Sequence, residues 1–261
     1  MDAVSRKVIH RLVDGKWQIQ QDDIANESIL NIDIENGKIS ERWLSILRTP
    51  GDDYELICGL LHNERVLRDC SIKDVELRVE DNSVTVIIPK QGSYDITPRG
   101  RIDNGTACGI CGRKDLSDLL DLAHNCEISG IDIDPEILLS MPSKMLQTQT
   151  GFTSTGGIHA AALFTAEGEI ILVKEDIGRH NCVDKVIGSA LINEHSLEQV
   201  VLCLSGRIGS ELVLKAAAAG IPAIVAIGAA SSLAIELSRQ AGIMLYGFAK
   251  NQSCVRYHSA G

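Results

Sequence analysis

The C-terminal part of the chain constrains the fold most, because short apolar segments and helical segments alternate there. Residues 200–204 and 223–227 are continuous apolar runs, whereas residues 210–219 and 232–241 carry apolar side chains at helical spacing. Strands that are separated by helices of about ten residues are joined by right-handed crossovers and lie parallel to one another. The pattern therefore predicts an α/β fold with a largely parallel sheet, in which ligands bind beyond the carboxyl ends of the strands.

The N-terminal part follows a different pattern, in which short strands dominate. Asp14 and Gly15 separate two alternating segments, and this dipeptide is typical of a tight hairpin turn. Apolar side chains within residues 75–88 predict a second hairpin, and residues 49–53 supply a loop with capping residues ahead of one predicted helix. This part of the chain is therefore predicted to be a small α+β unit.

A segment rich in proline and glycine separates the two patterns. Residues 89–101 contain two prolines and two glycines, a composition that is typical of a linker. We therefore divide the chain into a smaller, strand-rich α+β domain, residues 1–100, and a larger α/β domain, residues 101–261. In the larger domain, residues 116–122 and 135–145 predict two further helices ahead of the alternating pattern.

Composition excludes several classes of function. The formal net charge is −10, and only 3% of the residues are aromatic. Both values argue against the large cationic surface and the stacking platforms of nucleic-acid-binding proteins, but they allow a local basic pocket for one phosphorylated ligand. No stretch approaches the roughly 20 apolar residues of a membrane span, and the N-terminus has no apolar signal segment. We therefore expect a cytoplasmic protein that neither binds nucleic acid nor spans a membrane.

Two of the eight cysteines are spaced for joint chemistry. Cys108 and Cys111 form a C-x-x-C motif in a glycine-rich segment, and two cations follow at residues 113–114. Nearby cations favour a thiolate, which can attack sulfur and carry a persulfide that the second cysteine resolves. A structural zinc site is the alternative, with His124 and Cys126 as possible further ligands. The other cysteines are expected to be packing residues: Cys58, Cys70, Cys126, Cys182, Cys203 and Cys254.

Two polar segments lie next to predicted strands and helices in the larger domain. Residues 175–185 follow one strand and open a helix, a junction where backbone N–H groups and the helix dipole attract anions. The segment combines Arg, His, Asn, Asp and Lys, which favours a functional loop over a merely solvated turn. Residues 205–211 occupy the same kind of junction, where Ser205 and Arg207 suit a phosphate. Ordinary loop and capping chemistry, with Ser210 as the N-cap, is the alternative for this second segment.

A third polar segment precedes a predicted strand. Gly156 and Gly157 allow a ligand to approach the backbone closely, and His159 follows them. A lone histidine is more often a hydrogen-bonded structural residue than a catalyst, so both interpretations of His159 stay open.

Taken together, several separated segments resemble the FdhD/NarQ family. The likeness covers nearly the whole chain, and the segments that carry it are residues 48–56, 108–112, 155–161, 176–181, 184–188, 205–207 and 246–248. The resemblance implies a cytidine deaminase-like fold for the larger domain and a homodimeric assembly.

The resemblance also implies a sulfurtransferase-type sulfur carrier that is required for formate dehydrogenase activity. Members accept persulfide sulfur from a cysteine desulfurase. They transfer it to the molybdenum cofactor, in its bis(molybdopterin guanine dinucleotide) form, before formate dehydrogenase receives the cofactor. On this basis Cys108 would be the persulfide carrier and Cys111 its partner.

The same resemblance assigns a cofactor-binding stretch near the C-terminus. It consists of Phe248, Ala249, Lys250, Asn251, Gln252 and Ser253. Arg179, Arg207 and Lys250 would supply cations for the phosphates of this cofactor, and a guanine nucleotide could occupy the same site. His180 joins Arg179, Ser205, Gly156, Gly157 and His159 as a candidate ligand residue, and no resident metal is expected.

Two rival functions use the same residues. Zinc-dependent deaminases carry a His-x-Glu motif followed later by Pro-Cys-x-x-Cys. Here Ala160 and Ala161 follow His159, and the cysteine pair precedes it, which argues against deamination.

A protein that only binds the cofactor, with incidental cysteines, is the second rival. A persulfide on Cys108 would distinguish the sulfur carrier from this binding protein.

Overall fold

The computed structural model describes residues 2–37, 39–67, 69–96, 128–250 and 252–259. Within these ranges the chain forms three sheets and six α-helices, and the mixed α/β class is confirmed. Cys108, Cys111 and Asn251 lie outside the described residues, as do the predicted helix at 116–122 and the predicted boundary at residues 100–101.

The first sheet is a two-stranded antiparallel hairpin, which we call the arm. Its strands are β1 (Val4–Val13) and β2 (Lys16–Ala25). Asp14 and Gly15 have φ angles of 49° and 76°, as a two-residue type I′ turn requires. The predicted turn is therefore confirmed. The arm leaves several large apolar side chains exposed, among them Val8, Trp17 and Ile19.

The second sheet packs against one helix to form the N-terminal core. It has the strand order β4-β3-β6-β5, and helix α1 (Asp53–Asn63) covers it. Its strands are β3 (Ser28–Asn36), β4 (Ile39–Arg48), β5 (Glu76–Glu80) and β6 (Ser83–Ile87). In β3, Leu30, Ile32 and Ile34 alternate with more exposed residues and are fully buried. This period of two explains why one face of the sheet packs on α1.

The third sheet has six strands in the order β12-β11-β10-β9-β7-β8. Its strands are β7 (His159–Thr165), β8 (Ile170–Asp176), β9 (Val200–Leu204), β10 (Ala223–Ala226), β11 (Met244–Lys250) and β12 (Ser253–His258). Only β9, β10 and β11 pair in parallel. The predicted largely parallel sheet is therefore wrong in part, because β7 pairs antiparallel with β9 and β12 folds back onto β11. The hairpin of β7 and β8 is the one that the turn at residues 167–168 predicts.

Helices cover both faces of this sheet. Helix α2 (Pro135–Thr148) packs on one face, and a short helix, α3 (Thr150–Thr155), follows it. Helices α4 (Arg179–Ile192), α5 (Ser210–Ala218) and α6 (Ser232–Ala241) pack on the other. Each follows the end of a strand, as the crossover pattern predicts. None of these helices, nor α1, is long and apolar enough to cross a bilayer.

The N-terminal core meets the larger sheet where helix α1 crosses helix α4. A side chain on Gly59 would overlap the carbonyl group of Asp184, and one on Gly188 would overlap that of Glu55. Glycine at both positions therefore lets the two backbones touch. Beside this crossing, Asn63 and Lys215 each donate to Asp184 Oδ1 at 2.7 Å. We call this contact, with its buried polar groups, the α1–α4 seam.

Candidate functional site

Strand pairing brings the predicted polar segments to one end of the six-stranded sheet. Ala161 of β7 pairs with Leu204 of β9, so β7 begins where β9 ends. His159 pairs with Asp176, so β8 ends at the same edge. The segments around His159, Arg179 and Ser205 therefore meet, as the sequence predicts, beyond the carboxyl ends of the parallel strands. We call this region the open end of the sheet.

His159 and Ser205 contact each other at the centre of the open end. The Ser205 hydroxyl lies 3.4 Å from His159 Nδ1 and accepts a hydrogen bond of 2.9 Å from the Ala160 amide. A Cβ on Gly206 would lie 3.6 Å from the His159 ring and 3.9 Å from Arg179 Cδ. Glycine at this position therefore keeps space open in front of both side chains.

The charge state of His159 follows from its surroundings. Burial lowers its pKa below the usual 6.5, the positive charges of Arg179 and His180 lower it further, and Asp176 opposes them. The imidazole is therefore mainly neutral near pH 7, with one ring nitrogen available as an acceptor. An approaching anion would reverse part of this shift, because it favours the charged ring.

Arg179 and His180 open helix α4 beside this histidine. His180 Nε2 lies 2.7 Å from Glu211 Oε2, and both side chains are largely buried. Arg179 Nε is buried and has no hydrogen-bond partner among the residues that the structure describes. A buried guanidinium N–H without an acceptor is costly. Arg179 is therefore suited to an anionic ligand that would supply the missing acceptor.

Glu211 and Gly228 also belong to the open end. Glu211 is the last residue of the predicted segment at residues 205–211 and stands in the first turn of α5, whereas the sequence did not single out Gly228. A Cβ on Gly228 would lie 2.7 Å from the Gly206 carbonyl oxygen and 2.8 Å from Arg207 Cα. A small residue after β10 is therefore required for this close approach.

The C-terminal stretch joins the open end through its backbone. The Phe248 amide donates to the Gly228 carbonyl oxygen at 3.0 Å, which ties β11 to the loop after β10. Phe248 has a φ of 52° and a side chain that is 46% exposed. A left-handed conformation at a bulky residue is strained and recurs at functional sites. Its exposed ring can therefore serve as a flat platform for a base.

The other members of this stretch differ in what they can offer a ligand. Ala249 is fully buried in the core, so only its backbone could meet one. Lys250, Gln252 and Ser253 are exposed, and Lys250 pairs with Ser253 at the turn into β12. β11 lies two strands from β9, which is a separation of about 10 Å. A ligand with several phosphates could span that distance.

Gly156 and Gly157, which the sequence suggests as ligand-binding residues, also have structural positions beside helix α3 and strand β7. Gly156 has a φ of 66° and caps helix α3, a position that favours glycine. Gly157 is exposed and precedes the strand that begins at His159. Both stay candidates for backbone contact with a ligand, and Arg207 is exposed at the other side of the open end.

Part of the predicted functional loop at residues 175–185 lies elsewhere. Asp184 and Lys185 are inside helix α4 and are 2% and 1% exposed. Asp184 pairs with Lys215 in the α1–α4 seam, and Lys185 Nζ lies 2.8 Å from Asp176 Oδ2. The assignment of these two residues to a ligand-binding loop is therefore wrong, because their charges are satisfied inside the protein.

The scattered cysteines are mostly packing residues, as predicted. Cys58, Cys182 and Cys203 are buried, and burial raises the pKa of all three thiols, that of Cys58 to about 12. Such thiols are inert. Cys254 is exposed on β12, so the packing prediction is wrong for it. No group of three or more metal-ligating side chains occurs in the described ranges, and the candidate zinc ligands of the C-x-x-C segment lie outside them.

Two cavities lie at the base of the arm, and the second of them also has Ile158 and Glu175, the neighbours of His159 and Asp176, in its lining. Their volumes are about 550 and 450 Å³. The charged groups of the second are already engaged: Lys174 pairs with Asp52 and Glu55, and Glu175 accepts hydrogen bonds from the amides that begin α3. The open end, where Arg179 Nε lacks a hydrogen-bond partner among the described residues, is therefore the better candidate for a ligand.

Comparisons with known proteins agree with one another. The model of the FdhD/NarQ family matches residues 25–261. Proteins named sulfur carrier protein FdhD from Thermoplasma volcanium and Saccharolobus solfataricus are each 40% identical to this chain. The alignments cover 95% and 96% of this chain and 92% and 94% of those proteins.

A crystal structure shares the fold. It is that of a candidate formate dehydrogenase accessory protein from Desulfotalea psychrophila, with a TM-score of 0.74 and 21% identity. The superposition covers 98% of this chain and 97% of that one. The two proteins therefore have the same overall fold along almost their whole length.

Proposed function

The chain belongs to the FdhD/NarQ family, and from this premise we propose that it is a sulfur carrier protein in the maturation of formate dehydrogenase. The observation that carries the proposal is the 40% identity, over 95% of the chain, to a protein that is named a sulfur carrier. The C-x-x-C motif at Cys108 and Cys111 supplies the thiols that this function needs.

The first chemical step would load sulfur onto Cys108. Its thiolate attacks the outer sulfur of a persulfide on a cysteine desulfurase, so that a new S–S bond forms and the desulfurase leaves as a thiolate. This step needs no outside reductant, because the persulfide on the desulfurase is replaced by a persulfide on Cys108. The cations at residues 113–114 would favour the attacking thiolate.

The second step would release that sulfur to the molybdenum cofactor. If Cys111 attacks the inner sulfur, a Cys108–Cys111 disulfide forms and the outer sulfur leaves as hydrosulfide, which is the oxidation state of a metal-bound sulfide. The two electrons then come from the cysteine pair, and a cellular dithiol would reduce the disulfide. This balance gives Cys111 a defined role in the proposal.

The open end of the sheet would hold the cofactor by its guanine nucleotides. Arg179, whose Nε has no partner in the described part of the chain, and the exposed Arg207 suit phosphate groups. Phe248 offers an exposed ring to a base, and Lys250 adds a cation at the end of β11. The local positive charge is compatible with the acidic chain as a whole, because a phosphate responds to nearby groups far more than to distant ones.

A mass measurement tests the sulfur carrier directly. After incubation with a cysteine desulfurase and cysteine, the intact protein should gain about 32 Da per sulfur atom. Cys108→Ala should abolish the gain. Cys254→Ala, which removes an exposed thiol of β12, should retain it. A wild-type protein that gains no sulfur, or a Cys108→Ala protein that gains as much as the wild type, contradicts the proposal.

The partners and the finer fold assignment complete the proposal. We propose a cytidine deaminase-like topology for the larger unit, a cytoplasmic location and a homodimer. A superposition on deaminase structures tests the topology. Light scattering tests the homodimer, for which we expect a mass of about twice the monomer's 28.2 kDa. A cysteine desulfurase and formate dehydrogenase would be the protein partners, and co-purification with each would test the two contacts.

A further inference from the structure

Thr49 makes three of the hydrogen bonds that attach the segment around Arg179 and His180 to the N-terminal unit. This residue lies between β4 and α1 and is 2% exposed. Its hydroxyl accepts a hydrogen bond of 3.0 Å from the Ile177 amide. Its own amide donates to Asp176 Oδ2 at 3.1 Å, and its carbonyl oxygen accepts from Lys185 Nζ at 3.2 Å. All its polar groups therefore face the segment that leads into α4.

Asp176 continues these contacts into the loop itself. Its Oδ1 accepts hydrogen bonds of 2.8 Å from the Gly178 amide and from Asn181 Nδ2. Lys185 neutralises the carboxylate at 2.8 Å, and Asp176 is fully buried. The Asp176 carboxylate thus accepts hydrogen bonds from Gly178 and Asn181, which flank Arg179 and His180. The Thr49 amide donates to the same carboxylate.

A second contact fixes the far side of the loop. Asn181 Nδ2 donates to the Leu47 carbonyl oxygen at 2.8 Å, in addition to its bond with Asp176. Residues 47–49, which belong to the N-terminal unit, therefore form hydrogen bonds with residues 176–181 of the larger unit. In contrast, Arg179 Nε has no partner among the described residues, so the contacts fix the backbone while they leave the cation available.

We propose that Thr49 is a positioning residue for the ligand-binding loop, so that the N-terminal unit sets the affinity for the nucleotide-bearing ligand through residue 49. The inference rests on the proposed function, because that function assigns the nucleotide to Arg179 and His180. A loop that is fixed before binding does not lose conformational freedom when the ligand arrives. Loss of the Thr49 hydrogen bonds therefore weakens ligand binding, although Thr49 itself does not contact the ligand.

Substitutions at Thr49 separate positioning from simple stability. Thr49→Val keeps the shape and removes the acceptor of the Ile177 amide, whereas Thr49→Ser keeps the acceptor. With GDP as the probe in titration calorimetry, we expect about tenfold weaker binding for Thr49→Val, or ~1.4 kcal/mol. Thr49→Ser should bind within about twofold of the wild type. Equal weakening in both variants would contradict the inference.

A matched control removes an equally buried contact at the other end of helix α1. Asn63→Ala breaks the 2.7 Å bond to Asp184 in the α1–α4 seam. It should lower the melting temperature and leave the GDP affinity of the folded protein unchanged. If Asn63→Ala weakens GDP binding as much as Thr49→Val does, loss of stability explains both results and the inference fails.

A double-mutant cycle tests whether Thr49 acts through Arg179. If it does, the effects of Thr49→Val and Arg179→Ala are not additive, because the loop has little left to position once Arg179 is gone. Independent losses, which would multiply to about a hundredfold, contradict the inference. A wild-type protein without measurable GDP binding would overturn the nucleotide site of the proposed function. Wild-type binding that Thr49→Val leaves unchanged would overturn this inference alone.

Discussion

The open end of the sheet and the α1–α4 seam are built from the same kinds of residue and behave in opposite ways. Both contain glycines at close approaches, a buried cation and acidic partners. In the seam, Lys215 pairs with Asp184 at 2.7 Å and both are shielded from solvent. At the open end, Arg179 Nε is buried without a partner among the described residues. A charged motif residue therefore indicates a ligand site only where the chain leaves its charge unsatisfied.

The electrostatics of the seam explain why its charges are not available to a ligand. Burial alone would lower the pKa of Lys215, but Asp184 and Glu64 outweigh that effect and hold the pKa above its usual value. The ammonium is therefore charged and fully engaged. A ligand would have to displace Asp184 to reach it, which would leave a carboxylate buried without a partner.

The largest effect should come from breaking the buried pair of the seam. Lys215→Met leaves Asp184 buried with Asn63 as its one remaining side-chain partner among the described residues, and we expect a loss of about 3–5 kcal/mol in the free energy of unfolding. Denaturant titration measures this loss. Lys174→Met is the matched control, since Lys174 pairs with the partly exposed Asp52 and Glu55 and should cost about 1 kcal/mol or less. Similar losses of unfolding free energy in Lys215→Met and Lys174→Met would contradict the view that the buried pair of the seam contributes more than the partly exposed pairs of Lys174.

A smaller loss of stability should follow from adding one methyl group to the helix crossing. A Cβ at Gly188 would overlap the Glu55 carbonyl group and lie 2.6 Å from the Gly59 amide nitrogen. Gly188→Ala must push the helices apart, and we expect a cost of about 3 kcal/mol. Gly209 at the open end has open space around it, so Gly209→Ala should change stability by less than about 0.5 kcal/mol. Thermal unfolding of the two variants compares them directly.

The smallest effect concerns pH and the two histidines with lowered pKa values. Burial lowers the pKa of His62 in the seam, and burial together with Arg179 lowers that of His159. For both, the unfolded chain takes up the proton first, so each contribution to stability is lost as the pH falls below the usual pKa of about 6.5. His62→Gln and His159→Gln should each make this decline shallower.

Ligand binding distinguishes these two histidines. A phosphate beside His159 raises its pKa, so GDP affinity should increase as the pH falls from 8 to about 6. Titrations across this range should show a shallower dependence in His159→Gln and an unchanged one in His62→Gln. An unchanged dependence in His159→Gln would place the phosphate away from this ring.

Much of the larger unit could be predicted from the sequence, because its elements bury continuous apolar faces. Strand β9 and helix α6 have the predicted bounds. Strand β12 was not predicted, since an exposed edge strand carries no apolar pattern. The short polar helix α3 was not predicted for the same reason. The turn at residues 167–168 predicts the antiparallel hairpin of β7 and β8, which is confirmed. The antiparallel pairing of β7 with β9 was not predicted.

The candidate site was predictable only in part. The sequence correctly indicated that the segments around Arg179 and Ser205 follow strand ends, whereas only the family resemblance assigned His159 to the same site. It could not show that Asp184 turns toward helix α1, since its partners Asn63 and Lys215 are far away along the chain. The pairing of His180 with Glu211 was hidden for the same physical reason. Partners across elements decide whether a charged residue binds a ligand or holds the fold.

The central claim is that the open end binds an anionic nucleotide through Arg179, whose Nε has no hydrogen-bond partner among the described residues. Titration of GDP into the wild type, Arg179→Ala and Arg6→Ala tests it most directly, since Arg6 is an exposed cation of the arm that pairs with Asp23. We expect saturable binding to the wild type, at least about tenfold weaker binding to Arg179→Ala, and no change for Arg6→Ala. Equal affinities for the wild type and Arg179→Ala, with both proteins folded, would contradict the account.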